Sequence, residues 1–188
     1  MTFKFSLSIL AAAALLAGCA GFDQSVQSHI STQNVIAGAK VDRDEFRKVT
    51  SVMAGRLTDR SMPGTDCELW LEANRHDDAS QINYFIVFKT VRADAWGWAF
   101  WGEAFDSSGR KLEVIKNGTD TGNGGLTYES ILIHVSRAYL EGGTVSGLTF
   151  RVDGNRAQKV INYPPHHIEG FLAKVDQTFA SNSMRHTP

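Results

Sequence analysis

Beyond residue 40 the chain alternates apolar and polar residues in short runs. Turn-forming residues separate the runs, which is the pattern of half-buried β-strands. Residues 46–55 (FRKVTSVMAG) and 67–75 (CELWLEANR) read as strands. In the second, Leu69 and Leu71 share one face, and Glu68, Trp70 and Glu72 share the other. Residues 62–66 (MPGTD) between them are turn chemistry. Residues 82–91 (INYFIVFKTV) are apolar on both faces, which predicts a central strand covered on both sides. Residues 95–105 (AWGWAFWGEAF) read as its neighbour. A turn at 106–109 (DSSG) then returns the chain into a strand over 110–116.

Residues 117–125 (NGTDTGNGG) hold four glycines in nine positions and predict a flexible surface loop. Strand patterning resumes over 126–135. A short helix over 136–141 ends at Gly142 and Gly143, and a last hairpin joins 148–152 to 157–163. From Pro165 the period changes to that of a helix. Ile168, Phe171, Leu172, Val175 and Phe179 form one apolar stripe, which must pack on another element. Gly170 interrupts this helix at a cost of about 1 kcal/mol relative to Ala. The sum is an α+β domain over residues 41–180. An antiparallel sheet of about six to eight strands carries a C-terminal amphipathic helix, and residues 181–188 form a frayed tail. An all-β sandwich with a peripheral helix is the alternative.

Residues 20–40 (AGFDQSVQSHISTQNVIAGAK) are polar, rich in Ser and Gln, and without a sustained period. They predict a flexible tether, reaching roughly 25 Å if fully coiled. Ahead of them, residues 1–18 carry one charge, Lys4, then an apolar run over 9–17. The run is shorter than the roughly 20 residues that span a bilayer. A positive start, a short apolar core and small residues at its end describe a secretory signal.

That segment closes on Leu16-Ala17-Gly18-Cys19, which resembles the lipobox of bacterial lipoproteins. The resemblance covers these N-terminal residues only and says nothing of the domain's family. It implies cleavage before Cys19 and a diacylglycerol on the Cys19 sulfur, so that an N-terminal lipid holds the protein on the membrane. An ordinary secreted protein with a Cys in its signal is the alternative. Ala20 stands where an Asp commonly retains Gram-negative lipoproteins in the inner membrane. Its presence implies the outer membrane, with the domain facing the periplasm or the cell surface.

Composition narrows the chemistry. Nineteen Lys and Arg against 20 Asp and Glu give a net charge of −1, which excludes a generic nucleic-acid binder. Two cysteines exclude a disulfide scaffold and a Cys-based zinc cluster. With Cys19 lipidated, Cys67 is either a small buried apolar side chain or half of an intermolecular disulfide.

The densest feature is the aromatic run from Trp96 to Trp101. As a strand it places Trp96, Trp98 and Phe100 on one face, and Gly97, Ala99 and Trp101 on the other. Trp96, Trp98, Phe100 and Trp101 are the candidate ligand-binding residues, because indoles offer large area and a polar handle to an apolar or glycan ligand. A contact with the membrane interface or a partner is a second reading, and sheet core a third. The six histidines show no ligand spacing. His166 and His167 point about 100° apart on a helix, so no metal site is expected. The glycine-rich segment lacks the Gly-Lys-Ser/Thr ending of a phosphate loop, and Asp120 is its only carboxylate. No Gly-x-Ser-x-Gly elbow is present, and Cys67 has no evident His partner.

No catalytic constellation stands out and no cofactor is implied. The chain therefore reads as a non-catalytic, lipid-anchored envelope protein. Its role would be an interaction, accessory or structural module of the outer membrane with an envelope protein as partner. A binding module at the Trp-rich face is the first alternative. An envelope hydrolase whose residues meet only in the fold is the second.

Overall fold

The computed structural model describes residues 31–62, 64–93, 97–122 and 124–183. The signal segment, Cys19, Trp96, the first part of the tether and the end of the tail lie outside the described residues. Nine strands form one antiparallel sheet. They are β1 (Lys40–Asp44), β2 (Val49–Asp59), β3 (Thr65–His76), β4 (Asn83–Ala93), β5 (Trp101–Asp106), β6 (Lys111–Gly122), β7 (Leu126–Val135), β8 (Leu148–Gly154) and β9 (Gln158–Tyr163). Their order is β1-β2-β3-β4-β7-β6-β5-β8-β9. Among the described residues there are also three helices: α1 (Thr32–Gly38), α2 (Arg137–Gly142) and α3 (Pro165–Ser183). This is the α+β arrangement expected, with β1 as an additional edge strand. No described helix is long and apolar enough to cross a membrane.

Strict alternation builds the inner face. Leu69, Leu71 and Ala73 of β3 stand opposite Phe88, Ile86 and Tyr84 of β4, and these opposite Ile131, Ile133 and Val135 of β7. All nine are buried. Helix α3 covers this layer with its stripe. Ile168, Phe171, Leu172, Val175 and Phe179 are buried, and Phe171 meets Tyr84 edge-on at 6.4 Å. Burying each of these side chains contributes about 2 kcal/mol, which offsets the weak helix propensity of Gly170.

The sheet curls into a half-barrel. Gly55, at φ +68°, sits in a register shift of β2 between Ala54 and Leu57. A side chain there would meet the Tyr163 hydroxyl at 2.9 Å, so the bend and the close approach both require glycine. Strand β9 comes round to face β2 through side chains. Tyr163 donates a hydrogen bond to the Gly55 carbonyl, and Lys159 pairs with Asp59 at 2.6 Å. The two parts of the sheet join narrowly, since β5 pairs with β6 only at Ala104–Leu112 and Phe105–Lys111.

Four expectations change. Residues 45–48 are a turn rather than the start of a strand, closed by amides of Phe46 and Arg47 on the Asp44 carboxylate. Residues 97–100 are irregular, and β5 begins only at Trp101 and lies between β6 and β8 rather than beside β4. The glycine-rich segment is not a free loop, because β6 runs through to Gly122 and pairs with β7. Its polar residues pair through backbone groups, which needs no apolar alternation. Finally, Thr32–Gly38 of the expected tether is a helix, capped by the Ser31 hydroxyl accepting from the Asn34 amide. Its one buried residue, Val35, seats against Gly170 of α3.

That seat makes a counter-intuitive prediction. On a free helix Gly170→Ala would stabilise by about 1 kcal/mol. Here the new Cβ would lie 2.7 Å from Val35 Cβ and 2.8 Å from the Thr32 carbonyl oxygen. The substitution is expected to destabilise by about 1–3 kcal/mol through overpacking. Thermal melts should show a lower Tm, and limited proteolysis should cut faster within residues 31–40. An unchanged or higher Tm would show that α1 yields freely.

Candidate functional site

Toward one end of the half-barrel the inward alternation continues but its residues turn polar. Cys67, Thr90 and Glu129 form one row across β3, β4 and β7, and Thr65, Arg92 and Thr127 form the next. All six are buried. The sequence marks them only as polar residues in the inward phase of strands, and Arg92 and Glu129 were not among the candidate residues. From β9, Lys159 joins this end at 7% exposure, donating to the carboxylate of Asp59 and the hydroxyl of Ser61.

Glu129 organises the neighbouring loop. Its carboxylate oxygens accept from the backbone amides of Ala99 and Phe100, each at 2.7 Å. Two successive N–H groups converging on one anion require an unusual turn of the chain. Phe100 accordingly adopts φ +56°, a region that bulky residues rarely occupy. The turn sends side chains apart. Ala99 and Trp101 point inward, and the Trp101 indole donates to the Thr90 hydroxyl at 2.9 Å while lying edge-on to Phe88 at 5.1 Å. Phe100 points outward, 46% exposed, with Trp98 beside it at 6.4 Å. Trp98, Phe100 and Trp101 therefore do not line one pocket. Trp101 is core, and Trp98 with Phe100 forms a surface pair.

The charges at the polar end are unevenly matched. Burial raises the Asp59 carboxyl, but the hydrogen bonds from Lys159 and Ser61 outweigh it and hold the group below its ordinary range. Burial pushes the Cys67 thiol up to about 11, against the opposing pull of Lys159 and Arg92. Cys67 is thus a neutral thiol at neutral pH and a poor nucleophile. Arg92 is different. It is 5% exposed, and its Nε and Nη1 are buried without a hydrogen-bond partner. The hydroxyl of Thr65, directly across the ladder, is also buried and unpartnered.

The outer face of the same strands carries a second feature. Trp70, Val87, Leu132 and Ile115 stand in one row across β3, β4, β7 and β6. Phe85 lies in the adjacent row, between Glu72 and His134. Arg56 lies over the Trp70 ring at 5.4 Å, and Ile115 is 43% exposed. Helix α3 packs on the opposite face, so no described helix lies over this row. Val87 was expected to be covered by a second layer. It is buried although no described helix lies over it, while Phe85 and Val91 in the same phase of β4 are only half-buried.

Among the histidines, His166 and His167 lie 4.6 Å apart at the start of α3. His167 is buried near Gly55 and Tyr163. Among the described residues no group of three or more His, Cys, Asp or Glu could hold a metal ion. The chain matches no protein-family model, no curated protein and no solved structure.

Two predictions follow from these environments. Glu129→Gln replaces an acceptor oxygen with a donor facing an amide, and is expected to cost about 1–3 kcal/mol. Denaturant titration would measure the loss, and tryptophan emission should shift to the red as the loop around Trp98 loosens. Unchanged stability would mean that the loop holds its own shape. The second concerns acid. Burial lowers the His167 pKa, with His166 adding to the effect and the Gly55 backbone opposing it. The unfolded chain then binds more protons than the folded one, so stability falls on acidification. The contribution is complete above about pH 6.5 and is lost as pH falls through that value toward the lowered native one. His167→Leu should show a smaller drop in denaturation midpoint between pH 7.5 and 5.5. An identical drop would assign the effect elsewhere.

Proposed function

We propose that this protein is a lipid-anchored module of the bacterial outer membrane that works by holding an envelope protein partner, without catalysis. The anchor is the lipid on Cys19, and the partner surface is the outer face of the sheet. The observation that carries the reading is the outer-face row Trp70–Val87–Leu132–Ile115, over which no described helix lies and in which Trp70 and Leu132 are half-buried and Ile115 is exposed. Apolar side chains at solvent gain from burial against a complementary surface. The flanking Glu72, Lys89 and Glu113 supply a charged rim, as interfaces commonly have.

The test is crosslinking in intact cells, followed by purification of the tagged full chain. A defined protein should be captured by the wild type and lost with Leu132→Asp. Leu132 is half-buried on the outer face, so the variant should still show native circular dichroism. Cys19→Ala should move the protein from the membrane fraction to the soluble one. Capture that survives Leu132→Asp would remove the outer face from the reading, and membrane retention of Cys19→Ala would remove the anchor.

A further inference from the structure

We propose that the polar end of the half-barrel is a binding site for the carboxylate group of a small molecule, received by Arg92 with Thr65. The site is separate from the outer face and does not depend on the anchor.

The argument starts from pairing. A buried guanidinium without a counter-charge is strongly unfavourable, because water has been removed and nothing has replaced it. Arg92 is 5% exposed, two of its nitrogens are buried, and neither has a partner. The nearby groups that could relieve it are already engaged. The Glu129 carboxylate accepts from Ala99 and Phe100, and Asp59 pairs with Lys159. No carboxylate oxygen lies within 4.0 Å of the Arg92 guanidinium among the described residues, although Glu129 stands only one row away. The Thr65 hydroxyl, opposite Arg92 in the ladder, has free hydrogen-bonding capacity in the same place. A guanidinium edge and a neighbouring hydroxyl together match an oxyanion, and the fork of Arg suits two oxygens on one centre.

The surroundings select among oxyanions. Lys159 is paired with Asp59 and the Glu129 carboxylate is held by two amides, so Arg92 is the charge left to balance and a single negative charge balances it. That favours a carboxylate over a doubly charged phosphate. The layer beneath is closed, since Trp101 seals Thr90 and Phe88, and Cys67 and Thr90 are fully buried. The ligand therefore offers its carboxylate inward and leaves its remainder at the strand ends. Thr65 opens β3, and Arg92 stands one residue before the end of β4.

The test is a titration of the full chain in detergent with acetate, butyrate and inorganic phosphate, at ionic strength matched with chloride. Calorimetry and thermal shift are both read. Saturable binding of acetate or butyrate is expected, with phosphate at least tenfold weaker. Arg92→Met should abolish the carboxylate-dependent rise in Tm. In carboxylate-free buffer its own Tm should equal or exceed the wild type, because an unpaired buried charge is gone. Thr65→Val, which keeps the charge and the volume, should weaken carboxylate binding severalfold and remains informative if Arg92→Met does not fold. Absence of saturable carboxylate binding by the wild type overturns the proposal. So does binding that survives both substitutions, and phosphate binding tighter than carboxylate overturns the choice of ligand.

Discussion

Remove the Glu129 carboxylate and the amides of Ala99 and Phe100 lose their acceptors in a place that water reaches poorly. The chain between β4 and β5 would then have no reason to hold Phe100 in the left-handed region. That conformation decides which way three aromatic side chains point. With it, Trp101 enters between Thr90 and Phe88 and starts β5 in register with β8. The second half of the sheet is thereby set against the first, and β9 arrives where Tyr163 and Lys159 can reach β2. One buried carboxylate on one strand thus bears on the path of β5, and through it on β8 and β9.

Much of this architecture was legible because it rests on local repetition. Leu69, Leu71, Ile86, Ile131 and Ile133 keep strict period two, and the α3 stripe keeps period 3.6. Both patterns survive the fold unchanged. What escaped reading depends on distant partners or on backbone alone. Lys40–Asp44 is a charged edge strand that pairs only through backbone groups. Thr32–Gly38 has one buried residue, and its seat at Gly170 lies far along the chain. The glycine-rich segment pairs as β6 with few apolar side chains. Within the aromatic run, alternation separated Trp98 and Phe100 from Ala99 and Trp101 as the fold does, but it gave no sign that residues 97–100 are irregular or that Phe100 takes a positive φ. Arg92 and Glu129 were visible as polar residues in an inward phase, a mismatch that sequence position alone does not convert into a site.

The central strands carry different surfaces on their two sides. Val87 and Phe88 are neighbours in β4, yet one belongs to the outer row and the other supports Trp101 within. Lys89 and Thr90 repeat the relation one step on. Because side chains alternate, any partner pressing on the outer face bears on the same backbone that positions Thr90 and Arg92. The sheet is therefore a thin wall with two chemistries, apolar and rimmed by charge outside, polar at one end inside.

The narrow join of β5 to β6 has a mechanical meaning. Ten residue pairs tie β4 to β7, but two tie β5 to β6. A sheet divided so unequally has a seam. Under tension, strands β5, β8 and β9 would part from the rest along that line, resisted by the Trp101 contact, the Tyr163 hydroxyl and the Lys159 pair rather than by a ladder of amides.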